Sequence, residues 1–250
     1  MFSKVELQPA YVLHTRPYRE TSMLVDFITP QYGRVSAIAK GARGGKASRQ
    51  PILQPFGRIL VSWQGKTELK NLVAVEDQYT RLMLHGNALF SGMYVNELLV
   101  NLLKTQDHCE QLFNRYEILV QQLATQNDIE PALRYFEKHL LEELGYGIPF
   151  PSLQGQDVEK ADLKNSNLIY YYAADGQFIE LVDEPQPAQF ARCFKAESLL
   201  AIAKNQLDDL DQLRAAKRLM RLAFTPLLGN RTLRSRELFK KKGPNYERQE

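Results

Sequence analysis

The sequence predicts an α+β protein: an N-terminal five-stranded barrel followed by a mainly α-helical domain with a small β-hairpin. Three observations carry this. Apolar residues alternate with period two over the first third of the chain and recur with period 3.6 beyond Gln78. Five strand-like runs fall between residues 11 and 75, separated by turn residues. An Asp175-Gly176 pair lies between two short runs of β formers, a strong hairpin signal. A chain of 250 residues has room for two small domains. The change of period puts their boundary near residue 80, with residues 1–80 as the barrel and 81–250 as the helical domain.

The strands are read in order. Residues 11–14 begin the first, and 21–28 form a second rich in β formers. Pro30 and Gly33 supply the turn into 34–40, which alternates polar and apolar as a half-buried strand does. Residues 59–63 and 69–75 make two more, bent at Gly65. Five short strands suit a small barrel of the OB-fold kind, and an SH3-like barrel fits the pattern nearly as well. Helices follow. The first covers 88–104. Asp107, with Glu110 three residues on, reads as an N-cap for the second. Asp128, with Pro131 in the first turn, starts a third that ends at Gly145. Residues 146–156 are a turn-rich connection. The hairpin runs from 168–172 into 177–181, and helices are expected over 196–204, 210–225 and 232–241.

Composition excludes several classes. Hydrophobic residues make up 44% and charged residues 24%, ordinary for a globular chain with a real core. No run reaches the length of a membrane-spanning helix, and the N-terminus lacks a cationic stretch followed by an apolar one. A cytoplasmic protein without membrane contact is expected. The two cysteines, Cys109 and Cys193, form no CxxC pair, and the four histidines are scattered without HExxH spacing. No metal and no cofactor are expected. Charge is unevenly spread. Residues 1–81 hold 12 basic and 6 acidic groups, net +6. Residues 82–211 hold 9 and 20, net −11, and residues 212–250 hold 11 and 3, net +8. Basic ends around an acidic middle are a footprint of polyanion binding.

The loop over 41–49 contains Gly41, Gly44 and Gly45. Gly45-Lys46 resembles the end of a phosphate loop, but Lys40 stands where the first glycine should be and Ala47 where Ser or Thr should be. ATP hydrolysis is therefore unsupported. A basic loop touching nucleic-acid phosphates through Arg34, Lys40, Arg43, Lys46 and Arg49 is the functional reading; a solvated loop is the plain one. Glu68 and Lys70 look like part of a metal-nuclease motif, yet the only upstream aspartate, Asp26, sits in an apolar strand, and an exposed ion pair fits better. On a helix over 210–225, Arg214, Lys217, Arg218 and Arg221 fall within about 100° of arc beside an apolar face. Such a cationic stripe contains no acid and repels itself unless an anion answers it. Arg231, Arg234, Arg236, Lys240, Lys241 and Lys242 extend the positive field. Tyr11, Tyr18, Tyr32 and Trp63 lie among the barrel cations and could stack bases, although barrels also need such fillers. Arg134 and Lys138, at i and i+4 beside Leu133, Tyr135 and Leu141, offer a cation and an apolar pocket to an acidic peptide tail, against the simpler reading of a solvated face near Glu137 and Glu142.

Several blocks run in order along the chain: residues 11–22, Gly33-Arg34-Val35, Ala39-Lys40-Gly41-Ala42-Arg43, Leu53-Gln54-Pro55-Phe56, residues 94–99, Leu144-Gly145-Tyr146-Gly147, residues 213–218 and Ser235-Arg236-Glu237-Leu238. Together they resemble the RecO family of bacterial DNA repair proteins. The resemblance implies an N-terminal OB-fold and a helical C-terminal domain in a non-enzymatic recombination mediator. It implies binding of single- and double-stranded DNA, annealing of complementary strands, and contact with the acidic tail of single-stranded-DNA-binding protein. It also implies cooperation with RecR in loading RecA. It casts Arg16, Arg34, Lys40 and Arg43 as barrel DNA contacts, Arg214, Lys217, Arg218 and Arg221 as helical-domain contacts, and Arg134 as a tail contact. Some members carry a four-cysteine zinc site. The connection after Gly147 has no cysteine, so zinc is not expected. An OB-fold RNA-binding factor is the opposing reading, and a metal nuclease a further one.

Overall fold

The computed structural model describes residues 4–44, 49–78, 82–105, 107–125, 128–151 and 168–240. Five strands close a barrel: β1 (Lys4–Tyr18), β2 (Ser22–Thr29), β3 (Gly33–Ala39), β4 (Arg58–Gln64) and β5 (Leu69–Asp77), in the order β1-β2-β3-β5-β4 with β4 paired back to β1. All neighbours are antiparallel except β3 and β5. This is the OB-fold rather than the SH3-like alternative. Alternation decides which residues enter. Val12, Met23, Val25, Phe27, Val35, Ala37, Ile59, Val61 and Trp63 fill the interior. Each large side chain buried there contributes about 1.5–3 kcal/mol.

β1 is longer than its sequence signal because two irregularities break its alternation. Leu7 adopts φ +48 and the pairing with β4 shifts between Val5 and Gln8. A second shift, between Val12 and His14, leaves Leu13 as an extra residue against β2. The Leu13 carbonyl accepts from Asn96 Nδ2 at 3.0 Å, and Asn96 Oδ1 accepts from the Tyr116 hydroxyl at 2.7 Å. All three residues are buried.

Asn96 belongs to helix α1 (Gly86–Leu102) and Tyr116 to α2 (Glu110–Thr125). α1 is apolar on most sides and is buried at Ala88, Tyr94, Val95, Leu98 and Leu99. α2 starts at Glu110, so Asp107 is not its cap. Instead the connection folds back on the barrel, where the Cys109 amide donates to the Pro30 carbonyl at 3.0 Å. Gly33, at φ +57, lies so close to this connection that a Cβ would sit 2.2 Å from the Asp107 carbonyl oxygen. Helix α6 (Ser235–Lys240) returns to α1. Its first turn is held by Glu97, whose carboxylate accepts from the Arg234 and Ser235 amides, both at 2.9 Å, and from the Ser235 hydroxyl.

The chain divides into two compact units. One spans Met1–Ile129 and Arg231–Glu250, the other Glu130–Asn230. The switch from strand to helix comes near residue 80, whereas the compact units part later, because α1, α2 and α6 pack with the barrel. The second unit contains most of α3 (Ile129–Glu143) and a three-stranded sheet of order β7-β6-β8. Its strands are β6 (Ile169–Tyr172), β7 (Phe178–Leu181) and the short β8 (Cys193–Lys195), which has no sequence signal of its own. Helices α4 (Ala196–Lys204) and α5 (Leu210–Leu228) complete it. α5 passes through Pro226, where only the last turn loses a hydrogen bond, and ends at Gly229.

Replacing Asn96 with Ala leaves the Leu13 carbonyl buried without its donor and should lower stability by about 1–3 kcal/mol, read as a fall in urea midpoint. Burial, with Glu117 next, pushes the Tyr11 phenol above its ordinary value of 10.0, and burial does the same at Tyr116. The folded state holds these protons more tightly than the unfolded chain. Their contribution is therefore intact below about pH 10 and is lost as pH rises beyond it. The urea midpoint should fall as pH rises above about 10, and Tyr116→Phe should flatten that fall.

Candidate nucleic-acid interface

The outer face of β1, β2 and β3 is set by the residues that the core does not take. Arg16 stands opposite Leu24, and Leu24 opposite Ile38. In the next rung His14 faces Asp26, and Asp26 faces Ser36. Tyr18 faces Ser22, and Lys40 follows Ala39 at the end of β3. Arg16 and Lys40 are exposed, with half-buried Leu24 and Ile38 between their strands. The face thus has an apolar middle and cationic margins. Arg19, in the β1–β2 turn, lies 5.2 Å over the Tyr18 ring. Sequence reasoning did not single out Arg19; its position directly after a strand-end tyrosine was the available signal.

One acid interrupts the face. Asp26 Oδ1 accepts from the Ser36 hydroxyl, and its Oδ2 lies 3.9 Å from His14 Nδ1. Asp26 is therefore engaged within the sheet rather than assembled with Glu68. Lys70 is buried and donates to the Gly65 carbonyl at 3.3 Å. Among the described residues no three His, Cys, Asp or Glu side chains are grouped to hold a metal.

The other expected barrel cations behave differently. Arg43 staples the β1–β2 turn: its Nε donates to the Ser22 carbonyl at 3.1 Å, and its Nη2 to those of Arg19 and Glu20 at 2.6 and 2.8 Å. Arg34 donates through Nη1 to the Val100 carbonyl near the end of α1. Arg49 reaches the Val73 carbonyl at 3.4 Å. Lys46 lies outside the described residues. The four aromatics also divide. Tyr11 and Trp63 are buried, Tyr11 against Phe113 and Tyr116 with its hydroxyl donating to Glu117 at 2.9 Å. Tyr32 packs edge-on to Trp63, and Tyr18 remains half-buried at the margin of the outer face.

In the second unit the α5 stripe is not free of acid. Asp211 lies 3.1 Å from Arg214, and Glu130 of α3 lies 3.1 Å from Lys217. Arg218 turns inward, over the Phe194 ring at 4.5 Å, and donates to the Cys193 carbonyl at 2.7 Å. Burial lowers its affinity for the proton and raises that of the Cys193 thiol. Arg221 is exposed. The stripe is thus partly answered by acids that the single-helix projection could not see.

Arg134 and Lys138 depart furthest from expectation. Neither lies on a solvated face. Arg134 is 5% exposed and pairs at 2.7 Å with the fully buried Glu137. Lys138 donates to the Ala203 carbonyl at 2.8 Å and the Ile202 carbonyl at 3.4 Å, at the C-terminal end of α4 where a cation is favoured. Both charges are occupied inside the unit and are not presented to a peptide tail.

The family described as Recombination protein O N terminal matches residues 3–79, and Recombination protein O C terminal matches residues 83–237. The chain belongs to the RecO family. Among curated relatives named DNA repair protein RecO, one from Cellvibrio japonicus is 44% identical over 242 residues, 97% of this chain and all of the relative. One from Coxiella burnetii is 39% identical over 238 residues, covering 95% and 99%. One from Haemophilus influenzae is 41% identical over 234 residues, covering 94% and 95%. The similarity is spread over both units, so RecO membership applies to the whole arrangement. No described helix is long and apolar enough to cross a membrane.

Lys40→Ala should leave the urea midpoint within about 0.5 kcal/mol of wild type, as exposed substitutions do. Arg43→Ala should cost about 1–2 kcal/mol, because three turn carbonyls lose their donor. Equal midpoints for the two variants would refute the division of these cations into a surface group and a structural one.

Proposed function

We propose that this RecO-family protein binds single- and double-stranded DNA, anneals complementary strands without catalysis, and with RecR helps RecA load onto DNA coated by single-stranded-DNA-binding protein. The observation that carries the reading is the outer face of β1–β3: apolar side chains flanked by exposed Arg16, Arg19 and Lys40, on the fold and face that OB proteins use for oligonucleotides. Bases lie on Leu24 and Ile38 and phosphates meet the cationic margin. Exposed Arg221, with Arg214 beside it on α5, offers a second phosphate contact, so two strands can be neutralised and left to pair. In this reading residues 1–80 form the DNA-binding domain, and residues 81–250 the helical domain that supplies partner contacts. The tail of single-stranded-DNA-binding protein then binds through exposed groups other than Arg134 and Lys138.

Annealing of two complementary oligonucleotides, one coated with single-stranded-DNA-binding protein, tests this without nucleotide or metal. The protein should speed annealing over the coated control. Arg16→Ala with Lys40→Ala should weaken single-strand binding and reduce the salt slope by about 1.4, near 0.7 per lost phosphate contact. Tight binding without acceleration would overturn the annealing role. Stronger binding to RNA than to DNA of the same sequence would point instead to a module that uses the 2′-OH.

A further inference from the structure

A groove of about 960 Å³ opens in the barrel unit between β1, the segment at 54–56, and helices α1 and α6. Its volume lies in the range of organic ligand sites. His14 and Thr15 of β1 line it, and His14 also belongs to the outer face just described, one rung from Arg16. Residues two apart on a strand are about 7 Å apart and point the same way. The groove therefore adjoins the outer face at His14, beside Asp26.

The lining is more apolar than polar and partly open, and its one acid, Glu97, is engaged by the Arg234 and Ser235 amides. Met93 of α1 is 45% exposed and Met83 is 67% exposed. Such thioether side chains adapt to flat, polarizable partners. Phe56 lies at the wall with φ +69, a backbone conformation rare for an aromatic residue and one that persists only when its surroundings hold it. Its ring is wedged against α1 at Gly92, where any Cβ would come within 2.7 Å of it. Arg234 stands exposed at the far end, its backbone fixed by Glu97. A largely apolar trough with Arg234 in its lining, and with Arg16 two residues along β1 from His14, is complementary to a strand whose bases turn inward and whose phosphates stay outside.

We infer that this groove is a second binding site for unpaired bases, into which a single strand passes from the β1–β3 face over His14 and Thr15. The inference rests on the DNA-binding reading above and extends it. Duplex DNA keeps its bases stacked inward and gains nothing from the groove, so the groove favours single strands over duplex.

The test is fluorescence titration of the full-length protein with a labelled oligothymidylate and with a labelled duplex of equal length. Met93→Asp places a carboxylate on the exposed lining. It should weaken oligothymidylate binding about tenfold and leave duplex binding within twofold, with an unchanged urea midpoint. Met93→Leu should retain wild-type affinity for both. Arg234→Gln should weaken single-strand binding a few-fold and lower its salt slope by about 0.7, one phosphate contact. If Met93→Asp binds oligothymidylate as wild type does, or loses both ligands equally, the groove is not a base site; a groove serving a protein partner would give the first of these results. Wild-type protein that binds neither ligand would sink the DNA-binding reading itself.

Discussion

The extra residue in β1 is the constraint on which the rest depends. Strand side chains alternate, so an unbroken β1 with Ala10 and Val12 in the core would also turn His14 and Arg16 inward. The bulge at Leu13 reverses that parity. Before it, Tyr11 is presented to α2; beyond it, His14 and Arg16 are presented to solvent. The reversal frees a carbonyl inside the protein, and a buried carbonyl without a donor costs about 1–3 kcal/mol. Asn96 supplies the donor, and Tyr116 fixes the orientation of the Asn96 amide. The outward cation and the buried helical amide are thus two consequences of one backbone irregularity. The barrel cannot present Arg16 this way without α1 beside it.

The cations divide between structure and surface. Arg34, Arg43 and Arg218 all direct their guanidinium groups at main-chain carbonyls, and Lys138 does the same with its ammonium. Bonds from charged donors are stronger than neutral ones, about 1.5–3 kcal/mol against about 1. These side chains therefore hold turns and helix ends in place. Arg16, Arg19, Lys40 and Arg221 are exposed instead. A substitution series that treats all basic residues alike would mix loss of folding with loss of anion contact.

This division explains what could be read from the sequence and what could not. The period-two runs located β2 to β5, and the 3.6 period located α1 to α5, because both signals lie within a dozen neighbouring residues. The bulge left only a broken alternation, so β1 looked like a four-residue strand. β8 has three residues and exists because β6 pairs with it. Partners distant in sequence were invisible for the same reason. Lys217 meets Glu130 from 87 positions away, and Lys138 meets Ala203 from 65 positions away. The helical projection of α5 could not show Phe194 or the Cys193 carbonyl beneath Arg218, nor Glu130 beside Lys217. Arg134 and Lys138 carried the same difficulty, since spacing on a helix fixes the face but not what covers it.

The linear charge pattern becomes more informative once the chain is folded. The C-terminal segment, residues 212–250, basic in sequence like the N-terminal one, is divided between the two units. Residues 231–240 return to the barrel unit, anchored by Glu97 on the first turn of α6 and by Arg231 donating to the Asn101 carbonyl at 2.8 Å. Counted over the described residues, the barrel unit holds 16 basic and 12 acidic residues, net +4, and the other 9 and 12, net −3. Net positive charge is therefore concentrated in the unit that holds the sheet face and the groove. Since α6 closes one wall of that groove, the return of the chain supplies both positive charge and part of the groove lining to the same unit.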